Sequence, residues 1–168
     1  LSSSSAASDV YKRQKLHCEV KTILTKGGAE FVTPLSIASL SKNKVYSDMY
    51  SVENESEMDH ISLSRWADLI LIAPATSNII AKMSQGISDD LATTVVQASN
   101  KSIFVCPAMN VRMWEHASNK QNLEKIKSYN YRIIGPFNGE MACGEYGDGR
   151  MADICLLYTS PSPRDLST

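Results

Sequence analysis

The chain has 168 residues, 43% hydrophobic and 21% charged, with a formal net charge of -1. That is enough for one domain with its own core, and the near-neutral balance excludes the basic surplus by which nucleic-acid binders neutralise phosphates. No apolar run approaches the roughly 20 residues that span a bilayer, and residues 1–14 lack the apolar centre of a signal peptide, so the sequence reads as cytoplasmic with no membrane partner.

Residues 1–14 and 155–168 are serine-rich, the second adding Pro161 and Pro163, and both resemble translated adapter sequence. They are read as non-native, leaving residues 15–154 as the domain. Within it, Cys18 to Thr25 predicts a strand, and Thr33 caps a helix with Pro34 in its first turn. Val45 and Tyr46 form a brief strand, and residues 51–58 an acidic connection. Asp68 to Ile72 is a strand, followed by helices over 76–83 and 89–99, the second with acids in its first turn. Residues 102–106 predict a strand, 121–128 a helix and 132–134 a last short strand. Strands alternating with helices argue a single α/β domain with a doubly wound parallel sheet and helices on both faces.

Two strands end in similar loops, Ala73-Pro74-Ala75-Thr76-Ser77-Asn78 and Pro107-Ala108-Met109-Asn110. Open α/β sheets bind ligands at such carboxyl ends, so both point to one site. Thr76, Ser77 and Asn78 stand at a strand-to-helix junction, where free N–H groups favour an anion; plain capping selects the same residue types. Met141 to Met151 sets Cys143 among Gly144, Gly147 and Gly149. Glycines permit close backbone approach and suit a mobile lid, while the alternative is a surface turn with a packed cysteine. Cys18, Cys106, Cys143 and Cys155 form no CxxC pair and no metal-ligand spacing with the histidines, which supports neither a disulfide framework nor a metal site.

Four motifs together resemble the flavin-containing cysteine decarboxylases, and within them the branch that decarboxylates phosphopantothenoylcysteine in coenzyme A biosynthesis. They are His60-Ile61-Ser62-Leu63; the Ala73 to Asn78 loop with Gly86 to Leu91; Pro107 to Asn110 with Met113 and Trp114; and Ala142 to Met151. The resemblance implies a Rossmann-like, flavodoxin-like fold, FMN as cofactor and a homotrimer or larger homo-oligomer. Members open with a strand and a glycine-rich turn that have no counterpart before Lys15, so the first strand is expected to be missing. Relatives often carry Thr where this chain has Ile79.

A cysteine carboxylate cannot leave as CO2 without an electron sink, which side chains do not supply and a cofactor must. The resemblance assigns His60 as the base, a role that suits an imidazole at working pH, although a helix-start histidine also serves local hydrogen bonding. It assigns Asn110 to the substrate carboxylate, where a neutral amide orients the group without an ion pair opposing its departure; a turn or cap asparagine is the plain alternative. Cys143 is implied as proton donor on a clamp whose backbone at Met141 and Ala142 contacts substrate. Thr76, Ser77, Asn78, Ala108 and, in a second loop, Thr25, Gly27 and Gly28 are implied flavin contacts. Core packing is expected for Met113 and Trp114. Two alternatives share the fold: a decarboxylase of peptide C-terminal cysteines of lantibiotic type, and a non-catalytic regulatory subunit.

Overall fold

The computed structural model describes residues 18–47, 59–141 and 144–152. Strands β1 (Thr22–Ile23) and β2 (Val45–Tyr46) pair in parallel, joined through α1 (Lys26–Ala29) and α2 (Pro34–Ser41). Thr33 caps α2 as its sequence predicts, its hydroxyl accepting from the Ser36 N–H at 3.2 Å with Pro34 in the first turn. The strand predicted over Cys18 to Thr25 contracts to two residues because its partner is equally short. Upstream, the Asn43 side chain takes the Val20 carbonyl at 2.9 Å in place of a ladder bond, and downstream Thr25 turns the chain into α1.

After α3 (Asp59–Trp66), strand β3 (Leu69–Ala75) leads through α4 (Ser77–Gln85) and α5 (Leu91–Ala98) to β4 (Ser102–Pro107). Short α6 (Val111–Glu115) and longer α7 (Ala117–Ser128) then return the chain to β5 (Arg132–Ile133). The three strands form a parallel sheet in the order β3-β4-β5. Its crossovers advance in one direction, so their helices share a face. There Ile80 and Met83 of α4 meet Leu123 and Ile126 of α7 over Ile103 and Val105 of the central strand. The β3–β4 register slips between Ile72 and Ala75, where Pro74 has no N–H to donate. Helix α7 starts at Ala117, before the predicted Gln121, because the His116 ring nitrogen Nδ1 accepts from the Ser118 N–H at 3.2 Å and caps it.

Leu63 of α3 and Leu91 and Val95 of α5 form a second cluster against Ile23, Tyr46 and Ile70. The β1–β2 pair and the β3–β5 sheet therefore lie over common helices, although no ladder joins them among the described residues. Parallel strands alternating with helices are the α/β arrangement expected. The glycine-rich segment corrects the sequence reading: an antiparallel hairpin, β6 (Phe137–Glu140) with β7 (Tyr146–Arg150), replaces a loop.

Candidate active site

The crevice is built at the carboxyl ends of β3 and β4. A bond from the Ala108 N–H to the Ala75 carbonyl at 3.0 Å locks the two strand-end loops together. On one side Thr76 caps α4, accepting from the Ile79 N–H at 3.4 Å. The N–H groups of Ser77 and Asn78 precede the first intrahelical bond, so they and the helix dipole face outward beside exposed Thr76 and Asn78. This end can hold an anion such as a phosphate. Ile79 turns into the core beside Ile80, so its place is apolar by packing.

On the other side Asn110 caps α6, its Oδ1 accepting from the Met113 N–H at 2.8 Å. An N–H donor requires the oxygen at that position, which fixes the orientation of the amide. Its Nδ2 group then has no partner among the described residues and sits in the exposed part of the crevice with both hydrogens available. The cap thus occupies one end of the side chain and leaves the other end open. Trp114 and Met109 pack on the core as expected of the former, whereas Met113 is 45% exposed, contrary to expectation, because the α6 cap turns it outward.

The hairpin completes the crevice. The Met109 N–H donates to the Gly149 carbonyl at 3.0 Å, tying β7 to the loop that carries Asn110. At the tip, the Met141 N–H donates to the Glu145 carbonyl and the Gly144 N–H to the Met141 carbonyl, each at 2.9 Å. Ala142 and Cys143 lie outside the described residues. In the sequence Gly147 and Gly149 signalled backbone freedom and close approach to a ligand; what they approach is the Met109 to Val111 segment of the protein itself.

The remaining predicted residues lie on α3 and after β1. His60 is half-buried at the second position of α3, and its imidazole makes no hydrogen bond among the described residues. Thr25, Gly27 and Gly28 lie at the end of β1, where the Thr25 hydroxyl accepts from the Gly28 N–H at 3.2 Å. A Cβ on Gly27 would meet only open space, while one on Gly28 would approach Leu24 Cδ1 to 2.9 Å. Gly27 therefore borders open space, and only the Leu24 side chain would have to move for a Cβ at Gly28. No hydrogen bond joins His60 or this loop to the crevice among the described residues.

The segment Gly86 to Leu91 is a brace. Gly86 ends α4 at φ 70°, and Lys82 Nζ reaches back to Asp89 at 2.7 Å and Asp90 at 3.0 Å. Asp90 caps α5 in a reciprocal box with Thr93. The bonds to Asp89 and then Asp90 raise the Lys82 pKa against the cost of burial. For Asp90, desolvation pushes upward but is outweighed by bonds from Thr93 and Lys82, and its pKa falls. Among the described residues no group of His, Cys, Asp and Glu side chains is placed to hold a metal, and no helix is long and apolar enough to cross a membrane.

Residues 8–159 match the family described as Flavoprotein. The coenzyme A biosynthesis bifunctional protein CoaBC of Haemophilus influenzae is 40% identical over 149 residues, covering 89% of this chain and 37% of that protein. The Bacillus subtilis CoaBC is 41% identical over 134 residues, covering 80% and 33%. The chain thus spans about a third of the length of these curated relatives. Among solved structures, a cysteine-to-serine mutant of a PPC decarboxylase, complexed with pantothenoylaminoethenethiol, superposes with a TM-score of 0.81 at 30% identity, covering 92% of this chain and 90% of that one. The FMN-dependent cysteine decarboxylase SpaF gives 0.79 at 25%, covering 94% and 87%.

Proposed function

The chain belongs to the flavoprotein family, and from that premise we propose that it catalyses FMN-dependent decarboxylation of phosphopantothenoylcysteine to phosphopantetheine, a carboxy-lyase step of coenzyme A biosynthesis. The observation that carries this reading is the divided use of Asn110. Its oxygen is held by the Met113 N–H, which leaves two amide hydrogens for a substrate carboxylate at the mouth of the crevice.

FMN suits the residues present: the α4 terminus offers open N–H groups beside Thr76, Ser77 and Asn78, and Ala108 lines the adjoining loop. Thr25, Gly27 and Gly28 form the second contact, with Gly27 leaving space for the ligand. When bound, FMN would supply a reversible two-electron acceptor for the substrate carbon bearing the thiol. Asn110 orients the carboxylate with a neutral donor, so no ion pair holds back its departure. His60 is the base that accepts the substrate proton. After CO2 leaves, Cys143 protonates the enethiol carbon, a step suited to a thiol whose ordinary pKa of about 8.5 keeps it protonated near neutrality. Met141 and Ala142 contact the phosphopantothenoyl chain through their backbone.

The working form is a cytoplasmic homo-oligomer, a trimer or larger. Support comes from Phe31 and Leu35, which are 70% and 77% exposed close to the Thr25 loop, where a neighbouring subunit would cover them. Substituting Cys143→Ser is expected to preserve flavin binding and CO2 loss while the enethiol accumulates, detected by mass spectrometry. Normal product formed at the normal rate would remove Cys143 from its role.

A further inference from the structure

We propose that Gly147 and Gly149 are positioning residues whose missing side chains set the seat of the β6–β7 hairpin on the Asn110 loop. This rests on the decarboxylase reading above and assigns neither glycine a contact with substrate.

The two glycines are one strand period apart, so both present the same face of β7. That face lies on the segment from Met109 to Val111. A Cβ built on Gly149 would stand 2.2 Å from the Met109 carbonyl oxygen and 3.3 Å from Met141 Cε. One on Gly147 would stand 2.9 Å from Val111 Cγ2. Both glycines also have positive φ, 145° and 154°. The Met109 to Gly149 bond at 3.0 Å requires this close approach. Asn110 lies between the two points of contact and is itself fixed by its cap. The hairpin base and the asparagine therefore form one body, with their separation set by two absent methyl groups.

The obstructions differ in kind, which makes the proposal testable. At Gly147 a new methyl meets a side chain, and Val111→Ala removes it. At Gly149 the obstruction is backbone, which no side-chain change relieves. A misplacement of about 1 Å near reacting groups costs about 100-fold in rate. Gly147→Ala is accordingly expected to lower kcat by up to about 100-fold while FMN affinity stays within about twofold. The double variant Gly147→Ala/Val111→Ala should recover the part of the loss that comes from the clash, while the strain of a side chain at φ 154° remains, with Val111→Ala alone as reference. Gly149→Ala should lose activity in either background.

Amide hydrogen exchange supplies a readout that needs no turnover. The Met109 amide should exchange slowly in the parent, quickly in Gly149→Ala and Gly147→Ala, and more slowly in the Gly147→Ala/Val111→Ala pair than in Gly147→Ala, with β4 and α4 unchanged throughout. Unchanged Met109 exchange in Gly149→Ala, or a double variant that recovers nothing, overturns the proposal. A parent protein without decarboxylase activity would instead defeat the function proposed above, and exchange would still decide whether the glycines seat the hairpin.

Discussion

The crevice loops and the hairpin meet at Asn110 but are held by opposite means. The first hang on β4, whose central residues from Ile103 to Pro107 are all buried, with Val105 fully enclosed by α4 and α7. The second is polar and open, with Tyr146 76% exposed, and it is fixed to the protein through backbone and absent side chains at Gly147 and Gly149. One half of the site is positioned by what its residues bury, the other by what its residues lack. The first should tolerate loss of an exposed polar group and fail on loss of volume. The second should tolerate neither added volume nor a changed backbone.

The largest effect on this contrast is expected from removing core volume under the crevice. Ile80→Ala should lower stability by about 2–5 kcal/mol, measured by denaturant unfolding, because Ile80 is fully buried between α4 and the sheet. A loss below about 1 kcal/mol would break the claim that burial positions this half. Next, Asn110→Asp keeps a side-chain oxygen for the Met113 N–H and replaces the free amide with a charge. Stability should change by less than about 1 kcal/mol, while substrate affinity falls tenfold or more, about 1.4 kcal/mol, through repulsion of like charges. Affinity that does not move would take the substrate carboxylate away from this residue.

A smaller effect belongs to the brace behind the crevice. Asp90→Ala removes a cap and an ion-pair partner and should cost about 1 kcal/mol, whereas Asp90→Asn keeps the cap and should cost about 0.5 kcal/mol, less at high salt. Equal losses would show that the charge, rather than the cap, carries the contribution. The pH dependence follows from the shifts. Asp90 is depressed below its ordinary 3.8, so its contribution is full above that value and is lost as pH falls through the folded value. Lys82 is raised above 10.5, so its contribution is full below 10.5 and is lost as pH rises through the folded value. Unfolding of the parent and of Asp90→Asn across this range should converge at the acid end.

These two halves were unequally legible in the sequence. The strands at β3 and β4 and the helices after them announced themselves through apolar runs, a Pro-Ala pair at each strand end, and Thr76 at a capping position, whereas Asp90, read as part of a first helical turn, is the cap of α5. Their burial was implied by the same pattern that defined them. The hairpin had no such pattern: Phe137-Asn138-Gly139-Glu140 and Tyr146-Gly147-Asp148-Gly149-Arg150 carry no apolar alternation, since its strands pair with each other and dock through main chain. A glycine-rich stretch therefore read as a loop. The brevity of β1 was hidden for a related reason, because a side-chain bond from Asn43 over a separation of 23 residues leaves no local trace. Asn110 was legible in kind, with cap and ligand-binding uses both open, and only the fixed orientation of its amide shows that the two are compatible.

The most direct test of the central claim is mass spectrometry of phosphopantothenoylcysteine incubated with the FMN-loaded protein, with parent and Asn110→Asp measured side by side. The account predicts that the parent removes the mass of CO2 and yields phosphopantetheine, while the variant binds FMN equally and turns over slowly. A parent that holds FMN and leaves the substrate unchanged would contradict it.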